Sequence, residues 1–347
     1  MLDAAALHAS LLTLDTHIDI PWPAAPDPFT DSPRGRLGDG VSRVVDFPKM
    51  QRGGLRAGCF AAYVPQGPRT PEGHAAATAR ALAMLDEINR MGRTENGLTA
   101  RVADTADAIE AAHRDGVLAV VPAVENGHAM GEDLGLLRQF RAKGARYMTL
   151  THNGHNALAD SSNPRTDLGD AETLHDGLSE LGRAAVLEMN RLGMLVDISH
   201  VSRQAALQAA MLSRTPVLAT HSCVRTLCDV PRNVDDTMLD ALRDSEGMVN
   251  ITALAGFVKL KAGADAVTVA DFVDHVDYAV HRCGLAHVGI SSDFDGGGGI
   301  TGWMDASESG NVTAELVRRG YGPAEIGQLW GSNFLRLLRR AEEVADA

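Results

Sequence analysis

Apolar residues gather along this chain in eight short runs. They are LLTLDTHID (11–19), AGCFAAYVP (57–65), LAVVPAVENG (118–127), ARYMTLTH (145–152), GMLVDISH (193–200), PVLATHS (216–222), GMVNITAL (247–254) and HVGISSDFDG (287–296). Each run is nearly continuous in apolar residues and does not alternate strictly with polar ones. That is the pattern of parallel strands covered on both faces. Segments of helical period lie between most of them. Thr70 and Pro71 open one such segment as N-cap and first helical residue, and DTADAIEAAHRDG closes another on Gly116. LHDGLSELGRAAVLEMNRLG stops at Gly193, SRQAALQAAMLSR starts from Ser202, and TVADFVDHVDYAVHRCG precedes the last run. Eight strands alternating with helices predict an α/β fold, a (β/α)8 TIM barrel, in preference to an open doubly wound sheet. No GxGxxG turn follows the first run, as a dinucleotide-binding fold would require. Residues 20–56, rich in Pro, Gly and Asp, read as a long excursion after strand one, part of the rim. No repeat or linker divides the chain, so residues 1–347 are expected to form one domain.

Composition narrows the partners. Of 347 residues, 45 % are hydrophobic and only 4 % aromatic, which supports a large core built from aliphatic side chains. The net charge of −13 argues against nucleic acid as a partner, because phosphate backbones are repelled. Cys59, Cys223, Cys228 and Cys283 form no CxxC pair, so a zinc ribbon is not expected and a reducing compartment is. The N-terminus lacks a basic segment, no 18-residue apolar run exists, and the C-terminus lacks a lipid-anchor tail. A soluble cytoplasmic protein that avoids membranes is the expectation.

The chemistry lies at one end of the predicted strands. In LDTHIDI, His17 and Asp19 project to the same face of a strand. Taken alone, the pair is either a buried hydrogen-bonded couple or two ligands of one metal. Strand three ends in Glu125, strand four in His152, strand five in His200, strand six in His221 and strand eight in Asp293, with Asp295 just beyond. The C-terminal ends of barrel strands are where barrel active sites are built. Imidazole and carboxylate together favour zinc or a similar first-row divalent ion. His17, Asp19, Glu125, His200 and His221 are five candidate ligands, more than one open catalytic zinc uses. They suit two metals about 3.5 Å apart sharing a carboxylate. Glu125 is the natural bridge, with His17 and Asp19 on one ion and His200 and His221 on the other. A water or hydroxide between the ions would have a lowered pKa and become the nucleophile.

Other residues read as ordinary. His8, His74, His113 and His275 fall in helical patterns on expected solvent faces, and His128 and His155 lie near the rim but off the strand ends. Gly296 to Gly299 lacks the GK[ST] of a phosphate loop and reads as a flexible loop beside Asp293.

With those residues in place, the chain resembles the renal (membrane) dipeptidase family of amidohydrolase-like metal-dependent barrels. The resemblance runs nearly end to end, through LDTHIDIPW, VDFPKMQRGG, PAVENG, YMTLTHN, VDISHVS, ATHS, PRNVDD, SSDFDG and WGSNFLR. It implies a binuclear zinc site with the division argued above and hydrolysis of L-Xaa-L/D-Xaa dipeptides. It further implies that His152 polarises the scissile carbonyl, that Arg232 pairs with the substrate's terminal carboxylate, and that Asp293 carries the proton from water to leaving amine. A homodimer is also implied. The secreted, lipid-anchored character of mammalian members does not transfer. An N-acyl-amino-acid hydrolase or lactonase on the same scaffold is the alternative, and a non-catalytic binding barrel a further one. Specificity is expected to reside in rim loops 20–45, 66–72, 155–170 and 253–262, with Arg225, Lys259 and Lys261 either favouring acidic side chains or facing water.

Overall fold

The computed structural model describes residues 2–23, 26–33 and 43–345. Part of the excursion after strand one, and part of the rim loop 20–45, therefore lies outside the described residues. The eight predicted runs each contain a strand of one parallel sheet: β1 (Leu14–Asp19), β2 (Ala57–Tyr63), β5 (Leu118–Glu125), β6 (Tyr147–Thr149), β7 (Leu195–Asp197), β8 (Leu218–Ser222), β9 (Met248–Thr252) and β10 (Val288–Ser291). A hairpin, β3 (Thr94–Glu95) and β4 (Leu98–Val102), was not anticipated; β4 pairs parallel with the first residues of β5, below β6. Its segment, TENGLTARV, offers too few apolar residues to stand out as a buried strand.

The strands follow the order β1-β2-β5-β6-β7-β8-β9-β10, and a parallel bridge between Ile18 and Phe294 brings the last strand back to the first. This near-closed barrel is flanked by helices whose starts follow local chemistry. Thr70, Thr105, Ser179 and Ser202 each accept a backbone N–H as N-caps of the helices Pro71–Arg90, Ala106–Arg114, Glu180–Arg191 and Arg203–Leu212. Thr268 and Asp271 form a reciprocal capping box on Val269–Cys283. Among the described residues, no helix is long and apolar enough to cross a membrane.

Alternation along each strand splits the core in two. Val120, Val124, Met148, Val196, Val249 and Ile251 pack outward under the helices. Ala57, Cys59, Ala119, Val121, Tyr147, Leu195 and Leu218 fill the interior, where Phe334, Leu337 and Leu338 of the C-terminal helix Asn333–Val344 close the lower end. The excursion is tied to the upper rim: the backbone N–H groups of Val44 and Val45 donate to the Asp295 carboxylate at 2.8 and 3.2 Å. His8 and His275 depart from the expected solvent faces, being only 5 % and 2 % exposed. Each carries two hydrogen bonds that a surface histidine would not need. His275 accepts from Val224 N–H and donates to Val258 O; His8 joins Thr313 to Gly53 O.

Candidate metal centre

The interior of the barrel changes character with height. In β5, Ala119, Val121 and Ala123 belong to the apolar interior, and Glu125 is the next residue on that face. Laterally, Tyr63, Glu125, Thr149 and Asp197 are register partners on successive strands, so a polar layer crowns the apolar one. In β1, Leu14 lies in the apolar interior and His17 in the polar layer. Their odd spacing is reconciled by a shift in the β1–β2 register between Asp15 and Ile18. Asp15, fully buried, stabilises that irregularity: its Oδ1 accepts from His17 N–H (3.1 Å) and from Ser292 N–H (3.0 Å), joining first strand to last. The DTHID alternation could have flagged Asp15, which was not among the expected site residues.

The five expected ligands converge. His17 Nε2 lies 3.7 Å from Asp19 Oδ1 and 3.4 Å from Glu125 Oε2. The other Glu125 oxygen, Oε1, lies 3.2 Å from His200 Nε2 and 3.5 Å from His221 Nε2, which are themselves 3.0 Å apart. Ligand atoms of a tetrahedral zinc stand about 3.3–3.4 Å from one another. Both groups have edges near that length. Among the described residues, buried His17 Nε2 and Asp19 Oδ1 find no hydrogen-bond partner, as befits atoms reserved for a cation. The ligand atoms of His17, Asp19 and Glu125 fall within 4.8 Å of one another, as do those of Glu125, His152 and His200, and of His17, His221 and Asp293. The donor set therefore fits a binuclear centre of borderline-soft divalent ions.

Electrostatics agree. Burial opposes a charge on His17, yet the carboxylates of Glu125, Asp19 and Asp293 outweigh it and raise this imidazole to about 10. A cluster that holds a proton so tightly calls for positive charge. Burial, with Glu125 beside it, also raises Asp19 well above the usual carboxylate range. The His17 ring is oriented from behind. The Tyr147 hydroxyl donates to Thr16 O at 3.0 Å and so accepts from His17 Nδ1 at 2.9 Å, which leaves Nε2 as the atom facing the carboxylates.

The remaining expected residues surround this cluster. The His152 ring is layered between Tyr63 (4.7 Å) and His200 (4.0 Å), its Nε2 is 3.8 Å from Glu125 Oε1, and burial lowers it to about 4. Arg232 is buried; its Nη2 donates to His221 O (2.9 Å), its Nη1 to Ser222 Oγ (3.1 Å), and its guanidinium lies 5.1 Å from the Phe257 ring centre. Asn233 holds the Arg232 loop by accepting from Cys223 N–H and donating to Cys228 O and Phe257 O. Burial pushes Asp293 up to about 7. His200, Asp293, Asp295 and Asn126 all adopt positive φ without being glycine, a strain that concentrates at functional sites.

The glycine run is a hydrogen-bonded turn and not a featureless loop: Gly296 and Gly298 donate to Asp293 O, and Gly299 to Ala253 O. A Cβ on Gly296 would come within 2.5 Å of Asp293 Oδ1 and 2.6 Å of Asp19 Oδ2, so only glycine lets both carboxylates approach there. Two rim cations are engaged by neighbours: Arg225 with Asp229 and Lys259 with Asp271. His155 is a buried strut, accepting from Ser161 N–H and donating to Ala171 O.

A family model described as membrane dipeptidase (peptidase family M19) matches residues 1–347. The chain is 34 % identical over 305 residues to the dipeptidase aclJ of Aspergillus oryzae, covering 87 % of this chain and 71 % of that protein. Among solved structures, the probable dipeptidase PvdM of Pseudomonas aeruginosa superposes with a TM-score of 0.87 at 28 % identity, covering 99 % of this chain and 98 % of that one. A metallo peptidase from Rhodobacter sphaeroides, solved with a phosphinate mimic of the dipeptide L-Ala-D-Ala, superposes with a TM-score of 0.78 at 27 % identity, over 95 % of this chain and 99 % of that one.

Proposed function

The chain belongs to the membrane dipeptidase family, peptidase family M19, and from that premise we propose that it hydrolyses the peptide bond of L-Xaa-L/D-Xaa dipeptides at a two-zinc centre bridged by Glu125. Metal-dependent dipeptidase chemistry is what the family and the donor set share. The phosphinate dipeptide mimic held by the Rhodobacter sphaeroides relative supports the substrate class. One observation carries the binuclear reading. The two oxygens of Glu125 face different partners, Oε2 toward His17 and Oε1 toward His200 and His221.

The metals, when bound, supply Lewis acidity and an activated water. The chain's own residues do the rest. Arg232, held by His221 O and Ser222 Oγ, pairs with the substrate's terminal carboxylate. His152, layered between Tyr63 and His200, donates to the carbonyl oxygen as negative charge develops there. Asp293 holds a proton at its carboxylate and delivers it to the departing amine. Residues 1–347 act as one hydrolase domain in this reading. Cytoplasmic residence is proposed on four cysteines that are each buried and unpaired.

The test is free amino-acid release from a panel of L-L and L-D dipeptides, comparing zinc-loaded with chelated protein and including N-acetylated versions of each substrate. Release that needs metal and a free amino terminus is expected. Hydrolysis of N-acyl amino acids or lactones in place of dipeptides would overturn the reading in favour of the alternative hydrolase.

A further inference from the structure

Behind His221 stands a buried carboxylate that is not among the expected ligands. Asp197, the last residue of β7, is fully buried. Its Oδ1 accepts from the backbone N–H of Ser199 (2.9 Å) and of Thr220 (3.0 Å). Its Oδ2 accepts from the hydroxyls of Thr149 (2.6 Å) and Thr220 (2.7 Å). With four donors on its two oxygens, the Asp197 carboxylate acts here only as an acceptor. The consequence falls on Thr220. Its single hydroxyl proton is committed to Asp197, and its oxygen lies 2.8 Å from His221 Nδ1. That oxygen can then only accept, so His221 Nδ1 carries the proton and Nε2 keeps its lone pair. Nε2 is the atom 3.0 Å from His200 Nε2 and 3.5 Å from Glu125 Oε1. Ser199 steadies the same residue from the backbone side, its hydroxyl accepting His221 N–H at 3.1 Å.

We propose that Asp197 is a positioning residue of the metal centre: acting through the Thr220 hydroxyl, it holds His221 in the one tautomer that can ligate. The inference rests on reading His221 as a ligand, but not on the identity of the substrate. Metal-binding histidines generally depend on a partner at the far nitrogen, and losing it costs about 10–100-fold in metal affinity. Here the partner is a hydroxyl whose polarity is set one bond further back. An amide at position 197 would keep Oδ1 for the two backbone donors and turn an N–H toward Thr220. That frees the Thr220 proton to point at His221 Nδ1, which favours the tautomer with its proton on Nε2.

The experiment titrates zinc-loaded wild type, Asp197→Asn, Thr220→Val and Thr220→Ser with a competing chelator and counts zinc per chain. Selectively 15N-histidine-labelled holoenzyme reports in parallel the Nδ1–H resonance of His221. Asp197→Asn and Thr220→Val are expected to release one of two zincs about 10–100-fold more readily, and Thr220→Ser, which keeps the hydroxyl, to behave as wild type. A slowly exchanging Nδ1–H is expected in wild type and Thr220→Ser and lost or fast in Thr220→Val. Wild-type zinc retention in Asp197→Asn overturns the proposal, whatever Thr220→Val does. So does equal loss in Thr220→Ser and Thr220→Val, since that marks the site as packing and not proton direction. Absence of dipeptide hydrolysis with these zinc results intact would count against the substrate reading alone.

Discussion

Asp293 sits two residues past the end of β10 with φ at +59°, its backbone N–H donating to His17 O at 3.2 Å. A non-glycine residue adopts this conformation at a cost, and the return is a carboxyl beside His17 and His221. Asp293→Asn removes the proposed proton carrier and keeps the shape. Its kcat is expected to fall by about 10²–10⁴-fold with zinc content unchanged; wild-type turnover would remove Asp293 from proton transfer. Gly296 acts on the same point from outside. In Gly296→Ala the new methyl meets Asp293 Oδ1 and Asp19 Oδ2, so either carboxylate must swing away. Activity is expected to drop at least tenfold, since small displacements of a reacting group cost that much. Steady-state assays and a thermal melt decide it: unchanged activity at wild-type stability would show that the turn simply yields.

At the scale of elements, the ends of the barrel separate chemistry from stability. The helix Asn333–Val344 starts after one wide turn, and Asn333 Nδ2 donates to Leu285 O (2.7 Å) and Val288 O (2.9 Å), tying the helix to the foot of β10. Asn333→Ala would leave those carbonyls without their donor and cost about 1–3 kcal/mol. Urea unfolding should show a lower midpoint, with kcat of the folded protein unchanged. A loss of kcat at wild-type stability would contradict this placement at the foot. Strand ends were the least legible elements. The run ending in His152 continues three residues beyond the last ladder residue of β6, Thr149. The last bond of that ladder is Leu150 N–H to Asp197 O at 3.2 Å; Thr151 and His152 then leave the strand, a boundary set by the neighbouring strand and not by apolar content. The hairpin β3–β4 is not legible in the sequence because it gains its order from pairing with β5 and not from its own apolar content.

For the molecule as a whole, buried neutral histidines make folding sensitive to acid. Burial lowers His8 and His275 below their ordinary value, and takes His128 to about 4. The carboxylates of Asp271 and Asp274 offset the burial of His275 only in part. In the unfolded chain these rings bind protons below about pH 6.5, whereas in the folded chain they do not. Stability is therefore greatest above pH 6.5 and declines as pH falls toward about 4. The urea midpoint of zinc-saturated protein should drop between pH 7.5 and pH 5. In His275→Gln, where an amide oxygen can take Val224 N–H and an amide N–H can serve Val258 O, the drop should be smaller. An identical drop in both proteins would exclude His275 from the effect.

Local chemistry carried a long way in this protein. The eight apolar runs, the Thr and Ser caps, and the gathering of His17, Asp19, Glu125, His152, His200, His221 and Asp293 at strand ends are properties of neighbouring residues. Period and capping register within a few positions of sequence, so they are legible there. Which oxygen of Glu125 faces which histidine belongs to the folded molecule. So do the β1 irregularity that brings Leu14 and His17 to one interior, and the burial of His8 and His275. Tyr147 orients a ring 130 residues away, and Asp197 a ring on the next strand. These depend on which strands become neighbours and at what register. That is decided when the barrel closes, because only then do a hydroxyl's donor and acceptor stand within reach of each other.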